Sequence, residues 1–359
     1  MNDTDINDTR LSKDFKGVTF SKYKKTEVKR ELLNNILEEK IESACNWCAE
    51  LVCAGHYVDL WETILLLLGK NIHLANPKLP LYVMARYQHF REIVGGGYVG
   101  NELAMRNNPG IRKLFCEMVC VLCFSNKKNR LGTAPIDTAE AFDISKLSRR
   151  LKAPDMTFAQ SYFLAEDPKE IFITVNEFAY SISPDVRDPL KACYWVEWII
   201  EFDSRCRRKK ELCRCERRSF APVEGKFQMD SIWIFWEIIL DLAGKDGPVR
   251  RIVDAILALF CIRYKTPCIK KRRFLIYFAI SVLTDRLDLG VSMIPSKGEV
   301  EKIVSNIDAI YRQIKKGEDS PNTDYLFANA KQSGLDKTIQ KMEIVNQHAL
   351  HAGLGPVVE

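Results

Sequence analysis

The chain has 359 residues, 47% of them hydrophobic and 28% charged, with a formal net charge of +6. That is enough apolar material for one large or two medium domains, which excludes disorder as the default reading. The longest apolar runs, such as Phe274 to Leu283, fall well short of the roughly 20 residues a bilayer span needs, and no apolar leader is visible, so the chain reads as an intracellular protein without a membrane partner. Twelve cysteines sit mostly inside apolar runs and read as reduced, buried thiols of a reducing compartment.

Residues 1–25 are polar and mixed in charge and read as a disordered tail. From there the apolar residues Leu32, Leu33, Ile36, Ile41, Ala44, Trp47 and Leu51 recur at helical spacing, which predicts one long helix ending near Gly55. A second helix follows Asp59 and is expected to close on Gly69 in the left-handed conformation, with Lys70 at its negative end. Pro80 opens a third helix that the triple glycine 95–97 stops, and Pro109 opens a fourth, to Phe124.

Between 128 and 167 the periodicity fades and prolines accumulate, marking a connector with one short helix over 138–151. Asp167-Pro168 and Asp188-Pro189 each read as an N-cap followed by a first-turn proline. They open helices over 168–182 and 189–210, and further helices are expected at 231–244, 248–262, 271–287, 298–316 and 335–351. Strand patterns are nearly absent, Val18 to Tyr23 and Ile171 to Val175 being the candidates. The expected fold class is all-α.

One pattern organises these elements. The segment Trp61-Glu-Thr-Ile-Leu-Leu-Leu-Leu-Gly-Lys70 returns as Trp236-Glu-Ile-Ile-Leu-Asp-Leu-Ala-Gly-Lys245, seven of ten positions being identical. Ala44, Cys45 and Trp47 are matched by Ala192, Cys193 and Trp195. Two tandem duplicated helical units, 26–127 and 168–290, related by a pseudo-twofold axis, are therefore expected, with C-terminal helices and a tail over 291–359. The spacing from Trp195 to Trp236 exceeds that from Trp47 to Trp61 by 27 residues, which marks an insertion at 203–229. The paired glutamates Glu62 and Glu237 read as structural, with a buried partner such as arginine as one option.

The insertion carries the strongest functional signal. Arg205, Arg207, Arg208, Lys209, Lys210, Arg214, Arg217 and Arg218 stand against only Glu211 and Glu216, a surplus that equals the net charge of the whole chain. Lys270, Lys271, Arg272 and Arg273 form a second cluster expected to share its face. Such groups attract phosphates or acidic protein surfaces by charge and by bidentate hydrogen bonds. The sequence thus supports a non-enzymatic interaction or adaptor protein, the alternative being a nucleic-acid-binding protein that uses 205–218 and 270–273.

Cys206, Cys213 and Cys215 lie within the basic run, where positive charge favours thiolate, and are candidate ligands of a structural zinc with Cys268 or Cys193 as a fourth. Cys45-x2-Cys48 and Cys120-x2-Cys123 fall within apolar helices. They pack the core, or meet across a helix contact and bind one ion. Phosphate-loop, dinucleotide, zinc-protease and nucleophile-elbow motifs are absent, and no small-molecule substrate is indicated. Asp155, Asp167 and Lys169 formally fit a metal-dependent nuclease pattern, a third alternative that requires them on strands.

At Ala192-Cys-Tyr-Trp-Val-Glu-Trp-Ile-Ile-Glu-Phe202 with the basic cysteine run after it, and at Asn76-Pro-Lys-Leu-Pro80, the sequence resembles an uncharacterised protein family of nucleocytoplasmic large DNA viruses. The resemblance implies replication in the host cytoplasm and partners from viral DNA replication or gene expression. It supplies no catalytic residue.

Overall fold

The computed structural model describes residues 3–128, 132–211 and 213–319. They are all helical: no strand occurs among them, and Val18 and Lys24 form an isolated antiparallel bridge. The strand candidate at 171–175 is helical instead. The helix expected over 335–351 lies outside the described residues.

The first half contains α1 (Lys25–Leu37), α2 (Ile41–Cys53), α3 (Tyr57–Leu67), α4 (Leu79–Gly95) and α5 (Pro109–Phe124). The single long helix expected before Gly55 is thus two, broken where Glu39 takes φ 59°. The Lys40 amide bonds back to the Asn35 carbonyl at 2.9 Å, so the chain reverses and α1 packs along α2. No glycine or proline announces this turn.

The connector carries two one-turn helices, α6 (Thr138–Ala141) and α7 (Ile144–Leu147). After it come α8 (Phe172–Ile182), α9 (Pro189–Arg208), α10 (Ile232–Leu242), α11 (Pro248–Phe260) and α12 (Cys268–Thr284). The expected helix over 298–316 is split into α13 (Lys297–Ser305) and α14 (Asp308–Lys315). Each half therefore offers five principal helices, and three neighbour pairs correspond, first with second, second with fifth and fourth with fifth, whereas α10 approaches α11 and α12 more closely than α3 approaches α4 and α5. Trp61 and Trp236 both lie on the third helix of their set, buried against aromatic rings of the fourth, Tyr87 and Phe90 for one and Phe260 for the other. The two fourth helices, α4 and α11, pack on each other.

Two expectations about chain punctuation are corrected. Gly69 does not end a helix: the backbone continues through a π-helical turn, Leu68–Ile72. A Cβ at Gly69 would lie 2.8 Å from the Phe274 backbone, so its role is to let α12 approach. Gly244 does take the left-handed conformation, φ 76°. Nor are residues 3–24 a disordered tail. Ile6, Phe15 and Phe20 are buried, and the Arg10 guanidinium lies 4.9 Å and 4.8 Å from the ring centroids of Phe15 and Phe20. Arg112 donates to the Thr4 hydroxyl and carbonyl, each at 3.0 Å. Three apolar anchors outweigh the polar composition that suggested disorder.

Candidate functional sites: a thiol cluster and a cationic face

Helix α2 is apolar on the side that meets α5, and the cysteines of both fall on that seam. Cys116 and Cys120 are one turn apart on α5, so their side chains share a face. Cys45 of α2 points between them, its Sγ 3.8 Å from that of Cys116 and 3.9 Å from that of Cys120. All three are buried, and their sulfurs lie within 4.8 Å of one another. Hydrogen bonds from the Cys116 and Cys45 thiols pull the Cys120 thiol below its ordinary range against the effect of burial, while Cys45 and Cys116 are pushed up. The cluster can hold a metal ion. The two C-x2-C pairs do meet across a helix contact, yet the group is completed by Cys116, which lies outside both; its i, i+4 relation to Cys120 was the signal that pattern-matching on C-x2-C passes over.

Cys206 and Cys213 are hydrogen-bonded through their thiols, but Cys215 does not join them in a group of three ligands. Among the described residues the cysteine cluster at Cys45 is the one group of three or more metal-ligating side chains, and neither Cys193 nor Cys268 completes another. Cys206 ends on α9 while Cys215 is buried beyond the turn, its amide donating to the Met229 carbonyl at 2.9 Å. Burial also reverses the expected charge effect: all three thiols are pushed up, Cys213 to about 12.

The basic residues divide into two sets. Arg218, Arg272 and Arg273 are structural. Arg218 is 3% exposed and binds Asp167 at 2.6 Å and Glu237 at 2.9 Å. Arg272 pairs with Glu62 and donates to the carbonyls of Phe260 and Ile262 at the end of α11. Each glutamate of the repeated segment thus holds a buried arginine. Arg273 binds Glu197 at 2.6 Å, and Glu197 accepts from the Tyr277 hydroxyl at 2.7 Å. Nor is the segment 203–229 a free flap, since Arg218, Cys215 and Ala221 are all buried and its first residues belong to α9.

The remaining cations face solvent. Arg207, Arg208, Lys209, Lys210, Arg214, Arg217, Lys270 and Lys271 are exposed, while Arg205 lies over the Phe142 ring at 4.2 Å. Arg208 pairs with Glu201 at 2.5 Å and Arg217 donates to the Gln228 side chain at 2.6 Å. Arg207, Arg208 and Lys270 line one groove of about 370 Å³ together with the apolar Ile200, Pro267 and Ile269 and the Asp203 carboxylate, which Arg207 approaches to 3.8 Å. The two basic clusters do share a face, through the end of α9 and the start of α12.

The nuclease pattern is not assembled. Asp155 is exposed and caps Thr157, whereas both Asp167 oxygens are taken by Arg218 and by the amides of Leu164 and Glu216. Asp167 therefore pins the insertion and does not cap a helix. No helix among the described residues is long and apolar enough to cross a membrane. Comparison with protein-family models, with curated proteins and with solved structures gives no match.

Proposed function

We propose that the protein is a non-enzymatic helical adaptor that receives an acidic protein segment on the face formed by α9 and α12. The observation that carries this reading is the groove between Arg207, Arg208 and Lys270, whose lining combines three cations with the apolar Ile200, Pro267 and Ile269 against one carboxylate, Asp203. A nucleic-acid backbone has use for the cations alone, whereas an acidic segment with apolar side chains uses both. The resemblance to proteins of large DNA viruses suggests viral DNA replication or gene expression as the setting.

The test is fluorescence anisotropy with a labelled peptide of alternating Glu and Leu, run beside duplex DNA and RNA of equal charge. The variant R207S/R208S/K209S/K210S should keep its fold, at a cost of about 1–2 kcal/mol for the Arg207–Asp203 and Arg208–Glu201 pairs it removes. It should bind the peptide at least tenfold more weakly than the parent. Tighter binding of nucleic acid than of peptide, with a steep salt dependence, would replace this reading by the nucleic-acid alternative.

A second observation favours a structural ion. Zinc–sulfur bonds of about 2.3 Å place tetrahedral sulfurs about 3.8 Å apart, which is the spacing of Cys45 to its two partners. We propose a structural zinc there, held by Cys45, Cys116 and Cys120. Native mass spectrometry should find one zinc per chain, lost in Cys116→Ser. A metal-free parent with unchanged stability after chelation would reduce the cluster to core packing.

A further inference from the structure

The first turns of α9, at the other end from the cationic groove, border a larger cleft of about 960 Å³. That is near the upper end of the range for small-molecule sites. Its rim is cationic: Lys128, Arg149, Arg150, Lys152 and Lys191 line it, against one lining carboxylate, Asp285. Lys191 is tied to Asp188 at 2.8 Å, and the Arg150 guanidinium lies 4.8 Å from the Tyr194 ring. Lys128, Arg149 and Lys152 are exposed and make no ion pair among the described residues. Tyr194 is half-buried on the wall, edge-on to Trp195 at 5.1 Å, while Trp195 and Tyr277 are buried in the lining.

At the first-half side of the cleft stands His73, buried and held at φ 31°, ψ −115°. Backbone strain of that kind persists where the surroundings over-determine it and concentrates at ligand sites.

We infer that this cleft is a nucleotide-binding site. Several unpaired cations at one rim suit a polyphosphate better than a single carboxylate, and the half-buried Tyr194 ring supplies the stacking surface that a base needs. At 1.5 Å per helical residue, Tyr194 and Arg207 are roughly 20 Å apart along α9, so the nucleotide site and the adaptor groove are separate and can be lost separately.

The experiment is calorimetric titration of the full chain with ATP, GTP, CTP and UTP, with adenosine and tripolyphosphate as half-ligands. At least one nucleotide should bind saturably, and tenfold or more tighter than either half-ligand. The variant R149S/R150S, altered only at exposed positions, should weaken that nucleotide at least tenfold while its circular dichroism is unchanged. Tyr194→Ala should weaken the nucleotide and leave tripolyphosphate unaffected. The R207S/R208S/K209S/K210S variant should bind the nucleotide as the parent does. No saturable binding of any of the four, tripolyphosphate binding as tightly as the nucleotide, or full affinity in R149S/R150S would each overturn the assignment.

Discussion

In the first half of the molecule the second and fifth helices meet through sulfur; in the second half the same pair of helices meets through an ion pair. Cys45 faces Cys116 and Cys120 across α2 and α5. Across α9 and α12 it is Glu197 that faces Arg273 and Tyr277. In the register that pairs Trp47 with Trp195, Cys45 falls on Cys193 and Glu197 on Ala49. The two seams are filled in different ways, one by soft, uncharged side chains and the other by a satisfied charge network, and neither leaves these polar groups unpaired. What distinguishes the halves is the stretch between their second and third helices. It is three residues from α2 to α3, 54–56, and runs over 209–231 from α9 to α10.

The largest effect should come from breaking what ties that long stretch down. Arg218→Ala leaves the Asp167 carboxylate buried without its cation, which should cost about 3–5 kcal/mol in urea unfolding. A loss below about 1 kcal/mol would mean that the insertion is docked by its apolar residues alone.

A pH titration of stability sharpens the contrast next. Burial raises the Asp203 carboxyl to about 6, while Ser231 and Arg207 pull the other way. The first half has no counterpart, since the same register falls on Gly55. Because the folded state holds this proton more tightly than the unfolded state, Asp203 lowers stability as pH rises from about 4 to about 6. Asp203→Asn should remove that slope and gain on the order of 2–3 kcal/mol at neutral pH relative to the parent. Identical pH profiles would place the proton elsewhere.

The glycines that match in sequence should separate in thermal unfolding. Gly69→Ala pushes a methyl group into the α12 backbone and should cost about 1–3 kcal/mol. Gly244→Ala meets open space and should cost about 1 kcal/mol, for its left-handed backbone alone. Equal losses would restore the equivalence that the sequence suggests.

The contrast between these glycines also shows what sequence can convey. Asn108-Pro109 and Asp188-Pro189 open α5 and α9 as their spelling implies, with cap bonds to Ile111 at 3.1 Å and Lys191 at 3.0 Å. Asp167-Pro168 is spelled the same way, but its carboxylate is claimed by Arg218, 51 positions away. A local rule cannot see a distant competitor. The thiol cluster divides likewise: Cys116 and Cys120 share a face by spacing, whereas Cys45 arrives from 71 residues away. Of the basic residues, composition identified the patch, but only packing separates the buried Arg218 and Arg272 from the exposed cations of the groove.

Helices α13 and α14 have a consequence for how the protein is made. They follow the second half in the chain yet dock on the first, α13 against α5 and α14 against α2, with Tyr311 buried under the Arg112 guanidinium at 4.2 Å. The helix that seals the first core thus leaves the ribosome about 190 residues after α5, a delay of roughly 10–40 s at ordinary synthesis rates. Throughout that interval the nascent first half presents an open apolar seam, so its closure waits on α13 and α14, and the emergence of those two helices, not of the first five, sets when the unit becomes native.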